Sequence, residues 1–359
     1  MGKIRLVVAG ETIFAGRLTE CMRKHAPEYL EVLSCGTLKD LPESLAQLRP
    51  DILLCEQGSA APEGLSTYMV QIQLVDNQGF GEQDLSCISS GKRKSDLNDS
   101  GNEKQESTLS RIFRYQRGSE ILRQIFQVYE QNSKKNLVCR CKTADMEMTA
   151  FYAPGGHELQ LPFSVSYAAI CGENEKALYL NLSEFSGMRL LFGNKDGGDL
   201  SDLIFGIRQK KERFLFCLQS VLHHTEQFDY VLPPDNPEDL YEIQEADLAC
   251  LLTLLQEQTA YKKIIWNCGT LNQAAVQIME CCGKVFCIVK ESAFGKYRKT
   301  ELEGFLQKEL RKRLQEKVRY VYPQTGGGGF VQGVDILTQL QTGEFVKEVR
   351  RLTEEAPSE

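Results

Sequence analysis

The chain has no Cys-x-x-Cys pair, and its four His do not cluster with the close pairs Cys139/Cys141 and Cys281/Cys282. No metal site is expected from such spacing. The thirteen Cys are scattered through apolar runs, as at Cys55, Cys171, Cys217, Cys250 and Cys287. That is the usage of reduced, buried thiols in a cytosolic protein and not of a disulfide framework. No apolar run approaches the ~18 residues of a membrane-spanning helix. The start, MGKIRLVVAGETIFAG, holds one short apolar run and then a Glu, so it reads as a first β-strand and not as a signal peptide. Positive charge is not in surplus. Lys and Arg number 42 against 49 Asp and Glu, for a net charge of −7 and a pI near 5.4. No global basic field favours nucleic acid or anionic lipid.

Over 359 residues, 42% hydrophobic and 25% charged composition fits a soluble globular protein of about two domains. Residues 3–9 read as a strand, and 12–24 as a helix with Ile13, Leu18 and Met22 inward. Residues 31–34 give a second strand, and 41–48 a helix with Leu41, Leu45 and Leu48 on one face. Residues 50–55 and 66–76 read as the third and fourth strands. This β-α-β-α-β pattern is the front half of a flavodoxin-like doubly wound sheet. Residues 77–110 are too polar to order themselves and are read as a disordered insertion. Structure resumes at Ile112–Tyr115, and a helix after Gly118-Ser119 carries Ile121, Leu122, Ile125, Phe126 and Tyr129. The expected organisation is a first domain over 1–132, a linker over 133–145 and a second domain over 146–359.

The second domain opens on Met146 to Gly187, read as strand, Gly-containing loop, helix, strand. Thr149–Tyr152 is a β-type run, Ala153 to His157 is turn chemistry, and Pro162 suits the first turn of a helix. Ala177–Leu182 is short enough for a strand buried on both faces. This is where a phosphate-binding loop GxxxxGK[ST] would sit, with amides around phosphate, Lys balancing its charge and a hydroxyl on Mg²⁺. Registered on Gly155-Gly156, Ala153 and Glu158 stand for the two motif Gly. Leu159 stands for the Lys and Gln160 for the Ser/Thr. Leu159 cannot balance phosphate charge, and Glu158 adds repulsion.

Farther on, Leu200, Leu203, Ile204 and Ile207 share a helical face, and Asp247-Leu248 starts a Leu-rich helix. Tyr261–Asn267 and Lys284–Lys290 read as buried strands. Residues 300–314 form a charged amphipathic helix, Gly326 to Gly329 a flexible loop, and Gly343–Val346 opens a last short helix. His223-His224 beside Glu226 is read as a solvated pair on a helix, pointing to different faces and so unable to ligate jointly. Lys296 to Lys299 is a local basic patch at a solvated helix start.

The first part, roughly 3–132, resembles a response-regulator receiver domain in pattern. A receiver needs acids after its first strand and a phosphate-accepting Asp at the end of its third. Here only Glu11 follows the first strand, and the third ends Leu54-Cys55-Glu56-Gln57. The resemblance implies a receiver fold without phosphorylation, with Glu11 and Glu56 marking the degenerate phosphoacceptor region.

The order of four stretches in the chain resembles the deviant-P-loop ATPases of the ParA/MinD class, and within it the pilus-assembly branch called TadZ or CpaE. These are FYAPGGH, ALYLNLSEFSG, LSDLIFGIRQKK with NPEDLYEIQEADLACLL, and YKKIIWNCGT. The resemblance implies an α/β fold of two doubly wound domains, a flavodoxin-like receiver followed by a MinD/ParA-like P-loop NTPase fold. It places the degenerate nucleotide loop at Pro154, Gly155, Gly156, His157, Glu158, Leu159 and Gln160. Pro154 stands for the signature Lys, Asn181 and Ser183 for two acids, and Asn267 for the Walker B Asp. With these groups neutral or apolar, no catalytic residue, no metal and no cofactor are expected. ATP held by loop amides without Mg²⁺ is the alternative. The implied role is a non-catalytic accessory or localisation factor of a Tad/Flp-type pilus or secretion assembly. It would be cytoplasmic, act through contacts with other assembly proteins, and be recruited through them to the cell pole or the inner face of the membrane. A homodimer is compatible with the resemblance, and nucleic acid is not a partner. An ATP-binding dimerisation switch and a receiver-type signalling module are the other readings.

Overall fold

A computed structural model describes residues 3–10, 12–25, 30–35, 50–56, 69–76, 110–132, 146–193, 198–308, 312–323 and 335–355. The chain divides into two compact units, Met1–Leu137 and Val138–Glu359. The expected helix over 41–48, all of the 77–110 insertion but Ser110, the linker over 133–145, Glu11 and the loop Gly326 to Gly329 lie outside the described residues; Ser110 opens a strand and is not part of an insertion.

The first unit is built on a five-stranded sheet. Its strands are β1 (Ile4–Ala9), β2 (Leu30–Cys35), β3 (Ile52–Glu56), β4 (Val70–Val75) and β5 (Ser110–Phe113). Their order is β2-β1-β3-β4-β5, with every pairing parallel. β3 is buried along its whole length, as a parallel strand covered on both faces should be. Helix α1 (Ile13–His25) buries Ala15, Leu18, Thr19 and Met22, and α2 (Gly118–Asn132) buries Ile121, Leu122, Ile125, Phe126 and Tyr129. Ile13 is 80% exposed, against the inward position expected for it. At 100° per residue it stands about 200° around the helix from Ala15, off the buried stripe.

The second unit is built on a seven-stranded sheet in the order β12-β11-β6-β10-β7-β9-β8. Its strands are β6 (Glu147–Tyr152), β7 (Ala177–Leu182), β8 (Leu222–His224), β9 (Asp229–Val231), β10 (Lys263–Cys268), β11 (Lys284–Ile288) and β12 (Val318–Val321). All pair in parallel except β8, a short antiparallel edge on β9. β10 lies between β6 and β7, so the ends of the central strand–loop–helix–strand unit are separated by a strand from ~80 residues later, paired in parallel on both sides.

The helices, in order, are α3 (Gln160–Gly172), α4 (Met188–Leu191), α5 (Leu200–Gln209), α6 (Phe214–Val221), α7 (Asp239–Glu242), α8 (Glu245–Gln258) and α9 (Gln273–Cys281). They continue with α10 (Ala293–Leu306), α11 (Lys312–Gln315), α12 (Ile336–Thr342) and α13 (Glu344–Glu355). The core on one face joins Phe151, Phe163, Tyr179, Phe286 and Ile265 to Leu340, Phe345 and Val349 of the last two helices. Phe151 and Phe286 stack at 5.4 Å, with Tyr167 edge-on to both. The apolar stripe of α13 is therefore spent on packing against this core.

Two local expectations are corrected. The helix placed over 300–314 begins at Ala293, where Ser292 Oγ accepts from Gly295 N at 3.0 Å, and ends at Leu306. Its first turns present Phe294, Lys296, Tyr297 and Arg298 to solvent, so no apolar periodicity marks them. His223-His224 lies on strand β8 and not on a helix, and it is not solvated. His223 is 4% exposed and stacks on Tyr230 at 5.2 Å.

Candidate functional site

The carboxyl ends of the parallel strands bring the sequence-marked positions together. β6 delivers Ala153 to His157, and a backbone bond from Gly156 N to Ala153 O closes the turn at 2.9 Å. Gly155 and Gly156 have φ of 76° and 79°, the left-handed region that favours glycine. Leu159, the position read as the motif's Lys, stands at the N-cap of α3, and its partly buried side chain packs on the core.

Gln160 is the buried centre of the site. Its Nε2 donates to Asn267 Oδ1 at 2.8 Å and to the Cys268 carbonyl at 2.5 Å. Asn267 Nδ2 in turn donates to Asn181 Oδ1 at 3.2 Å. Asn181 Oδ1 also accepts from Ser183 N at 2.8 Å, and its Nδ2 donates to Ser186 Oγ at 2.8 Å. Gln160 is 8% exposed, and Asn181 and Asn267 are each 1% exposed. Three positions marked separately in the sequence, on α3, β7 and β10, thus form one hydrogen-bonded chain of amides. The chain carries no charge, and the Oδ1 atoms of Asn267 and Asn181 both accept within it. Ser183 enters through its backbone N–H.

Around this core the loop is more polar. His157 Nδ1 accepts from Leu159 N at 3.0 Å, while its Nε2 is buried with no partner among the described residues. Burial, helped by Lys290 and opposed by Glu158, moves the His157 pKa below its ordinary value. Arg298, reaching in from α10, lies on the loop: a Cβ at Gly155 would stand 2.7 Å from its Cζ. Sequence reasoning placed Arg298 in a solvated patch and missed this contact. Among the described residues no group of three or more His, Cys, Asp or Glu could hold a metal.

The other position singled out in the sequence and described by the structure, Glu56, lies in the first unit. Glu56, 7% exposed at the end of β3, accepts from Thr12 Oγ1 at 2.5 Å. Its Oε2 would lie 2.6 Å from a Cβ at Gly10. The carboxylate is folded back on the end of β1, and this approach requires glycine there. At the far edge of the second sheet, His224 Nδ1 bonds Asp229 Oδ1 at 2.5 Å and Tyr261 donates to Asp229 Oδ2 at 2.6 Å. Burial alone would raise the Asp229 pKa, but these bonds and the nearby His224 and Lys176 hold it below the ordinary carboxylate value.

No protein-family model and no curated protein sequence matches the chain. Solved structures similar to it include a ParA family ATPase from Chlorobium tepidum TLS, at 14% identity and a TM-score of 0.44, covering 55% of this chain and 81% of that one. A plasmid partition protein from Borrelia burgdorferi bound to AMPPNP has 11% identity and a TM-score of 0.40, covering 58% of this chain and 98% of that one. An McdA–ATP complex from Cyanothece has 11% identity and a TM-score of 0.41, covering 59% and 81%. A likeness of this degree does not by itself assign the chain to their family. Among the described residues no helix is long and apolar enough to cross a membrane.

Proposed function

We propose that the second unit is a ParA/MinD-type domain that has given up phosphoryl transfer, and that the chain works through protein contacts. The Gln160–Asn267–Asn181 network carries this reading. Phosphoryl transfer needs positive charge at the phosphates and oxygen ligands for Mg²⁺. Here those positions hold Leu159, which packs inward, and three neutral amides that satisfy one another. Opening the network to a metal would strand buried polar groups, at about 1–3 kcal/mol each.

The finer reading follows the order of the four stretches and the five-stranded parallel unit ahead of them. In it the first unit is a receiver-like domain without a phosphoacceptor, and the protein is an accessory or localisation factor of a Tad/Flp-type pilus assembly. Isothermal titration of the full chain with ATP, with and without Mg²⁺, tests the central claim. No Mg²⁺-dependent heat and no phosphate release are expected. Micromolar affinity abolished by EDTA overturns the reading.

One observation favours a second reading. Arg298 against Gly155 and Lys290 near His157 supply cations to the loop from outside the motif. A nucleotide bound there without Mg²⁺ would make the domain a ligand-dependent switch. Binding of equal strength with and without EDTA, lost in Arg298→Ala, is the result that selects it.

A further inference from the structure

We propose that the outer flank of α1 and the turn from β5 into α2 form a docking surface for an acidic segment of another protein, one that carries an apolar anchor. The proposal rests on the reading of a chain that works through protein contacts, and it gives that work a place in the first unit. α1 buries Ala15, Leu18, Thr19 and Met22 as one stripe. At 100° per residue Phe14 and Cys21 border that stripe, and Ile13 and Arg17 form the next row outward. The start of α2 is pressed against the bordering row. A Cβ at Gly118 would stand 2.6 Å from Cys21 Sγ and 3.7 Å from Leu18 Cδ1.

Arg114 ties the helix to the turn. Its Cζ sits 5.1 Å from the centre of the Phe14 ring and 5.0 Å from that of Tyr115, and its Nη1 meets Asp76 Oδ1 at 3.2 Å. Phe113 packs edge-on to Tyr115 at 5.7 Å. A guanidinium stacked in this way is held before any partner arrives, so docking on it orders few side chains anew. On this platform Ile13 is 80% exposed and Tyr115 62%. Arg17 and Arg117 are exposed and form no ion pair among the described residues. The described acids beside them are Glu20 and Asp76, and Asp76 is taken by Arg114.

Exposed apolar residues standing singly are ordinary. Here two of them stand among cations without acid partners, and Arg and Tyr are side chains that interface centres favour. The sign selects the partner. The whole chain carries −7, so three Arg gathered on one flank run against its field and call for carboxylates opposite them. The number of cations selects the class. Nucleic acid is held through roughly 6–10 phosphate contacts, and anionic bilayers through clusters of about 4–8 Lys or Arg. Three Arg on a negatively charged chain supply neither. A short protein segment needs no more than these: an apolar anchor against Ile13 and Tyr115, with Asp or Glu on either side facing Arg17 and Arg117.

The probe is a library of random peptides displayed on phage and selected on the full chain. Enriched peptides are then synthesised and their binding read by fluorescence anisotropy, with circular dichroism confirming that each variant is folded. The selected peptides should be acidic around a Leu or aromatic anchor, and their binding should weaken as salt rises. Arg17→Glu with Arg117→Glu should raise the dissociation constant about a hundredfold, and Ile13→Ser about tenfold. Lys296→Glu with Tyr297→Ser, on an exposed basic turn of the second unit, should change nothing. Selection of neutral or basic peptides, no enrichment, equal binding by the flank variants, or loss in the Lys296 and Tyr297 variant would each overturn the proposal. So would phosphatidylserine vesicles, or self-association of the chain, that depend on the same two Arg, since the flank would then belong to a membrane or to a second copy. Titration with Mg²⁺ and ATP stands apart: heat there sinks the non-catalytic reading while leaving peptide binding at the first unit in place.

Discussion

Asn267 uses both ends of its amide, accepting from Gln160 and donating to Asn181. A carboxylate in its place could still accept from Gln160 but would have no proton for Asn181 Oδ1. Asn267→Asp should therefore not create a metal site. It should cost about 1–3 kcal/mol in urea unfolding at neutral pH, because two buried acceptors would face each other. Protonating the new carboxyl supplies the missing donor, so the loss should shrink as pH falls toward 5. An unchanged midpoint would show that the network does not hold the strand ends together. His157 gives a second check. Its pKa is depressed in the folded chain, so the unfolded chain takes up the proton first. Its contribution is complete above an unfolded value of about 6.5 and is lost as pH falls below it. Proton NMR of the ring should find a midpoint below that value, moving back toward it in Lys290→Gln or on removing Leu159's neighbouring cover. Positions 153–160, 181 and 267 were singled out from motif register alone. Their union in one hydrogen-bonded chain was not, because it depends on which strand lies beside β6.

Element-scale reading succeeded where a buried stripe exists and failed where none does. Leu200, Leu203, Ile204 and Ile207 of α5 are all buried, at helical spacing. The start of α10 carries no such stripe, and its only local signal is the Ser292 cap. β8 follows directly from α6, so LFCLQSVLHH reads as one apolar helical run until the pairing with β9 pulls its last residues into a strand. Position 295 shows how tightly the start of α10 is set. A Cβ on Gly295 would stand 1.9 Å from the Lys290 carbonyl, a backbone atom that cannot rotate away. Gly295→Ala must displace the helix start or the end of β11, at a cost of about 1–3 kcal/mol. Gly304→Ala, on the same helix with nothing within 4 Å of its Cβ, should leave stability equal or slightly raised. Paired urea titrations decide this, and equal losses in the two variants would mean that helix propensity and not the close approach governs.

At the scale of the molecule, alternating strands and helices foretold parallel sheets, while the strand order of the second sheet left no local trace. Nothing within Lys263–Cys268 tells that it will lie between β6 and β7, since parallel neighbours are chosen by non-local packing. The same packing argues for autonomy. The aromatic core of Phe151, Phe163, Tyr167 and Phe286 is completed by Leu340, Phe345 and Val349 near the end of the chain, all within the second unit. Among the described residues its seven strands pair only with one another. A fragment of residues 146–359 should therefore fold alone, with one cooperative urea transition and native near-ultraviolet dichroism. Ending the fragment before α12 should abolish that transition, because Leu340, Phe345 and Val349 would leave one face of the core open to water. Each such buried side chain contributes about 2–5 kcal/mol when truncated, against a whole-domain stability of only about 5–15 kcal/mol. A shortened fragment that still unfolds cooperatively would show that the last two helices decorate the core and do not close it.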